Sequence, residues 1–296
     1  MKLIIPLVLS FLIGLIAAFR PYSIGFDTPL YIEILNSYWT DGTSQFPDLI
    51  FSTYTKIFTF IFPNNIESER IYLVSISLLQ SILLFKILIK KNIFESILIT
   101  LGFGPLIFFD ILRQGTAMLL VASYIIAPTK NNYLILGLLS HINSIVVFIN
   151  FNLFKIYKII FPILIFFLLS IYLNSEELFN RINFYLADPD YLKDSDLFGR
   201  FIDKISIKNI LVFVSMIFFF YTKKINSLNT SVLAVLYFVS IPYPIIFRLY
   251  FFYFFIIFCN MKLDFSDHRI SNVTNNILLS FIILNFSDKT IFFINS

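Results

Sequence analysis

Apolar runs near the length of a membrane-spanning helix recur along this chain from Leu3 to Phe286, separated by short polar breaks. A helix needs roughly 17–25 apolar residues to cross a bilayer, so this recurrence puts the whole chain in the membrane, not a single anchor. Composition agrees: 58% of the 296 residues are hydrophobic and 14% charged, against roughly 45–50% apolar and about 25% charged in soluble domains. The expected fold is all-α, a polytopic membrane helix bundle over residues 1–296 with about nine or ten spans and re-entrant segments. Lys2 and the apolar stretch to Phe19 resemble a signal peptide, but their length and the spans that follow make this an uncleaved first helix. The abundance of Phe, Ile, Asn and Lys points to an AT-rich bacterial genome.

Several classes of function are excluded. The net charge is only +4 and the basic residues are scattered with no basic-aromatic stripe, so nucleic acid is not an expected partner. Cys259 is the single cysteine, so no intramolecular disulfide forms. With His141 and His268 alone, no cysteine pair and no metal-binding histidine spacing, no metal site is expected. A Gly-rich phosphate loop ending in Lys-Ser/Thr is also missing, and no cofactor is implied.

Lysine and arginine accumulate on the cytoplasmic side of membrane helices. One threading puts Lys2, Lys86, Lys90, Lys91, Lys130, Lys155, Lys158, Lys223, Lys224 and Lys262 inside, ten of the chain's 15 lysines. Its spans are 3–19, 70–89, 93–109, 112–127, 159–173, 209–221, 230–246, 247–260 and 274–286. Residues 132–154 become a broken re-entrant hairpin with His141 at its apex, and residues 49–62 lie in or on the outer leaflet. Two larger outer loops result, 20–69 and 174–208.

Ionisable groups within a membrane are costly and mark function by default. Arg20, Arg113, His141 and Arg248, none used to set the threading, all fall near its outer boundary. Arg113 and Arg248 open helices, where unpaired N–H groups and the macrodipole favour an anion. A break precedes each: Gly102, Gly104 and Pro105 before Arg113, Pro242 and Pro244 before Arg248. Arginine's planar, permanently charged fork suits a diphosphate. The plainer readings are headgroup contact or local pairing, with Asp110 three residues before Arg113 as a partner. For the run Phe251 to Phe255 the expectation is a lipid-facing or core surface.

After the first span the chain reads Arg20-Pro21-Tyr22-Ser23-Ile24-Gly25-Phe26-Asp27-Thr28-Pro29-Leu30-Tyr31, an Arg-x4-Gly-x-Asp-x3-Tyr pattern. Arg113-Gln114 followed by Ala117, then His141, then Arg248-x-Tyr250, come later in the same order. Over roughly residues 1–260 this resembles the EpsG-like family of Wzy-type polysaccharide polymerases. Asn143 stands where the family usually has Ser or Thr two residues after the His, with Ser144 one later, and Asp48 corresponds to an acidic residue that often opens the segment after the first loop.

The resemblance implies a glycosyltransferase of the bacterial cytoplasmic membrane, active on its outer side. It would join undecaprenyl diphosphate-linked oligosaccharide units into O-antigen, capsule or exopolysaccharide, with lipid-linked donor and acceptor as ligands and a flippase and chain-length regulator as protein partners. Arg113 and Arg248, with Arg20, are then assigned to the leaving diphosphate. Either Asp27 or His141 would orient or deprotonate the acceptor hydroxyl; an Asx turn or helix cap is the plainer role of Asp27, with Gly25 serving that turn. Gly25, Tyr31, Gln114 and Tyr250 complete the substrate-binding set, while Tyr22, Tyr31, Tyr38 and Trp39 also suit an interfacial belt. A transporter or flippase of the same lipid-linked glycan would use similar arginines but place polar residues through the full membrane depth. An O-antigen ligase or membrane acyltransferase would differ in its acceptor.

Overall fold

A computed structural model describes residues 3–22, 28–42, 48–126, 132–141, 144, 233, 235–236 and 244–260. Every regular element among them is helical: α1 (Ile4–Phe19), α2 (Thr28–Asp41), α3 (Leu49–Ile61), α4 (Ile66–Leu88), α5 (Ile93–Pro105), a π-helical segment (Leu106–Asp110), α6 (Leu112–Ile126), α7 (Asn132–Ser140) and α8 (Pro244–Asn260). The expected spans 159–173, 209–221 and 274–286 and the 174–208 loop lie outside the described residues.

The burial pattern of α1 is the reverse of a water-soluble helix. Leu7, Val8, Leu12, Leu15, Ile16 and Phe19 are exposed, while Ser10, Gly14, Ala17 and Ala18 face inward. In α4, Ser77, Gln80 and Ser81 are buried and Leu78, Leu79 and Ile82 point outward. Small inward residues let two helices approach closely, as in apolar surroundings where burying hydrocarbon gives no association energy. A Cβ on Gly14 would collide with Ser81 Oγ, so glycine is what brings α1 against α4. Among the described residues only α4 is long and apolar enough to cross a membrane by itself; α1, α3, α5 with its π-helical extension, α6 and Leu249–Asn260 are apolar but shorter.

Helix starts follow local chemistry. Asn65 caps α4 by accepting from Ser68 N at 2.8 Å. Asn92 and Glu95 form a capping box on α5, which gives the buried Glu95 carboxylate a structural task at that helix end.

Between α5 and α6 the observed break differs from the expected one. The helix runs through Gly102 and Gly104, since a glycine weakens a helix by only about 1 kcal/mol, and Gly104 receives the Ile13 side chain of α1. Interruption comes after Pro105, which has no N–H for the helical ladder. The chain widens into the π segment, where Ile111 N donates to Leu106 O at 3.1 Å. Ile111 then leaves helical geometry at φ −130°, ψ 56°.

This break lies deep along α4. Gln80, 14 residues beyond Ile66, donates to the carbonyls of Ile107 and Leu112, about 21 Å along a helix of roughly 35 Å. From there α6 runs on to the Lys86 end of α4, and α7 returns antiparallel, starting where Lys86 Nζ meets Tyr133 Oη at 2.5 Å. A Cβ on Gly137 of α7 would lie 2.7 Å from Val121 and 3.4 Å from Ala117 O of α6.

The 20–69 segment, read as an outer loop, holds α2 and α3 packed on α4. Tyr31, Ile34, Leu35, Tyr38, Phe51 and Phe58 form a second core with Tyr72, Leu73, Ile76 and Leu112. Thr55 Oγ1 and Tyr72 Oη are 2.7 Å apart, and Trp39 Nε1 donates to Phe62 O at 2.9 Å. In α8, Phe251 to Phe255 are core residues, and Phe103 of α5 packs against Phe251, Phe254, Phe255 and Phe258.

Among the described glycines Gly115 has the closest backbone neighbour, because an added Cβ would sit 2.6 Å from Ile107 O and 3.1 Å from Ile107 Cα. Gly115→Ala should destabilise the protein by roughly 1–3 kcal/mol, read as a lower thermal unfolding midpoint in detergent. Leu12→Ala, on the outward face of α1, should leave the midpoint nearly unchanged.

Candidate functional site

Arg113 is the second residue of α6, immediately after the break. Its backbone N and its Nε both donate to Tyr31 Oη, each at 3.0 Å, across 82 residues of sequence. The guanidinium lies over the Tyr31 ring at 5.8 Å from the centroid. Its Nη1 forms an ion pair with Asp48 Oδ2.

Tyr31 reaches this point because α2 starts deep in the bundle and rises from there, with Asn36 donating to Glu69 at 3.0 Å near the start of α4. Asp48 stands at the N-cap of α3 with extended backbone, yet its side chain makes no cap bond to that helix. The carboxylate is directed to Arg113 instead. Both partners are largely buried, at 16% and 8% side-chain exposure. The partner is therefore distant in sequence, unlike the local one offered by Asp110, whose side chain is outside the described residues.

Arg20 is also buried, at 2% exposure, and its donors reach protein acceptors. Nε and Nη2 donate to Thr28 Oγ1 at 3.2 and 2.6 Å, and Nη1 to Ala17 O at 2.6 Å and Phe108 O at 3.0 Å. The guanidinium also lies over Phe109 at 5.4 Å. Arg20 thus joins the end of α1, the start of α2 and the π segment. Arg70, which the sequence reading passed over, stacks on Tyr22 at 4.6 Å and donates to Ala18 O and Arg20 O, capping α1 with positive charge.

Gln114 is buried beside Arg113 in α6. His141 is half-buried just past α7, donating its backbone N–H to Gly137 O at 3.2 Å and accepting from Ser144 N at 3.1 Å. Gly137 lies opposite Ala117 and Val121, and the two helices are antiparallel, so His141, one turn further, is at the Arg113 end of α6. Ser144 Oγ turns back to Gly137 O at 2.9 Å. Tyr250 is buried in α8 and stacks on Phe254 with centroids 5.9 Å apart. Arg248 is in the first half of α8, which Pro244 opens; its side chain, Gly25, Asp27, Asn143 and Pro242 lie outside the described residues.

The structure therefore brings Arg20, Tyr31, Arg113, Gln114 and the level of His141 to one end of α6, and adds Asp48 and Gln80. Gln80 carried a sequence signal, a polar side chain within the run Leu78-Leu79-Gln80-Ser81-Ile82. A search restricted to ionisable residues passes over it. Comparison with protein families, characterised proteins and solved structures finds no significant match to this chain.

Removing one member of a buried ion pair leaves the other charge uncompensated, at a cost of roughly 3–5 kcal/mol, whereas replacing both with apolar groups is often neutral. Arg113→Ala should lower the thermal midpoint in detergent strongly. The double variant Arg113→Met with Asp48→Leu should recover most of the loss. Equal losses in the two proteins would show that the pair contributes no such coupling.

Proposed function

We propose that this chain is a multi-pass glycosyltransferase of the bacterial cytoplasmic membrane, with about nine or ten spans, joining lipid diphosphate-linked oligosaccharide units on the outer side in the manner of the EpsG-like, Wzy-type polymerases. The observation that carries this reading is the pair of hydrogen bonds from Arg113 to Tyr31 Oη. They unite two parts of the resemblance, Arg-x4-Gly-x-Asp-x3-Tyr and Arg-Gln-x-x-Ala, that lie far apart in sequence.

In the proposed reaction an acceptor sugar hydroxyl attacks the donor's anomeric carbon. The bond from that carbon to the diphosphate oxygen breaks, the lipid diphosphate leaves with the electron pair, and the hydroxyl proton passes to a base. Arg113 and Arg248 stabilise the departing diphosphate; fixed cations aimed at developing charge are commonly the largest catalytic contribution. Asp27 or His141 is the base. Arg20, committed to Thr28 and main-chain carbonyls, serves this site by holding its walls. Asp48 balances Arg113 before an anionic substrate arrives.

A transporter of the same lipid-linked glycan is the second reading. It is favoured by one observation, the depth of Arg113, Asp48 and Gln80 along α4, since passage across a membrane calls for polar groups below its surface.

Gene deletion followed by gel analysis of surface polysaccharide separates the two. Loss of a polymerase leaves single repeat units on the lipid carrier at the outer face; loss of a transporter holds them on the cytoplasmic side. A ladder of normal chain length contradicts both. In the polymerase case Arg113→Lys, which keeps a cation but not a planar fork, should lower polymer formation by roughly a hundredfold.

A further inference from the structure

Gln80 is fully buried in the apolar middle of α4, and the described residues give its amide nitrogen three acceptors: Ile107 O at 3.3 Å, Leu112 O at 3.0 Å and Thr116 Oγ1 at 3.2 Å. Thr116 Oγ1 gives its own proton to Leu112 O at 2.8 Å, so it meets Gln80 as an acceptor, and the two amide hydrogens of Gln80 are shared among three acceptors. Among the described residues its Oε1 is buried with no hydrogen-bond partner. A side chain kept at the cost of an unsatisfied oxygen, where Leu or Met would pack without one, is held for its donors.

Those acceptors lie on both sides of the break. Ile107 belongs to the π segment; Leu112 and Thr116 belong to α6. Irregular backbone at membrane depth persists only where protein groups or a polar cavity satisfy it. Arg20 secures the same segment from the other side through Phe108 O. Leu112 is bonded to Arg113 in the chain, and Arg113 N is fixed on Tyr31. We propose that Gln80 is a positioning residue for this site: by bridging the π segment to the first turn of α6 it sets where the Arg113 guanidinium is presented to an anionic substrate. The bridge itself is independent of the reaction; its consequence for turnover rests on the polymerase reading.

Hydrogen–deuterium exchange on the purified full-length protein in detergent tests the bridge. Gln80→Met keeps the length and removes the donor, while Gln80→His retains an N–H. In Gln80→Met, peptides covering residues 106–118 should exchange about tenfold faster, the effect of losing a buried hydrogen bond, with α1 peptides unchanged. Gln80→His should restore most of the protection. In cells Gln80→Met should reduce the polysaccharide ladder to single units at an unchanged amount of protein, and Gln80→His should bring longer chains back. Unaltered exchange in 106–118, or equal acceleration over α1 and α6, overturns the positioning role. If the exchange pattern is as stated but gene deletion leaves the ladder intact, the bridge stands and the polymerase reading falls. If deletion abolishes the ladder while Gln80→Met changes neither exchange nor chain length, the reverse holds.

Discussion

A polypeptide that stops being helical inside an apolar bundle exposes backbone N–H and C=O groups that neither hydrocarbon nor apolar side chains can satisfy. Here that happens between Pro105 and Leu112, opposite the middle of α4. The π segment keeps part of the ladder through Ile111 N to Leu106 O. Gln80 takes the carbonyls of Ile107 and Leu112, and Arg20 takes Phe108 O. Gly115 then lets α6 begin directly against Ile107. The position of Arg113 follows from this arrangement.

Burying a guanidinium so far along α4 demands an opposite charge and further hydrogen bonds, because desolvation otherwise exceeds the Coulombic gain. Asp48 and Tyr31 supply them, and both come from the α2–α3 layer. That layer is in turn fixed on α4 by hydroxyl contacts such as Thr55 to Tyr72 and by Arg20 on Thr28 at the start of α2. Core and site are thus coupled. The groups that hold the short helices together are the groups that orient the arginine, so a site substitution acts on stability as well as chemistry.

The positions of several helices were legible because apolar run length is a strong signal: the apolar runs at 3–19, 70–89 and 112–127 coincide closely with the helices α1, α4 and α6. Asp48 could be linked to Arg113 only by tertiary structure; no local spacing joins residues 65 apart. The α2–α3 layer was read as an outer loop because the 49–62 run is too short to span comfortably and carries Lys56, features that suit either a surface segment or helices leaning on a longer one. Gly102 and Gly104 looked like breakers, yet a glycine in a packed helix can be the socket for a neighbour's side chain, as Gly104 is for Ile13. Gln80 was invisible to a charge-based search because it is polar but not ionisable.

On the proposed function, the Arg113, Tyr31 and Asp48 constellation receives a lipid-borne diphosphate. Thermal unfolding of the purified protein with a short prenyl diphosphate tests it most directly, because a ligand that binds the folded state raises its midpoint. A rise is expected for the wild type with prenyl diphosphate, none with the matching prenyl alcohol, and none for the Arg113→Met, Asp48→Leu double variant. An equal rise with the alcohol, or in the double variant, would contradict it.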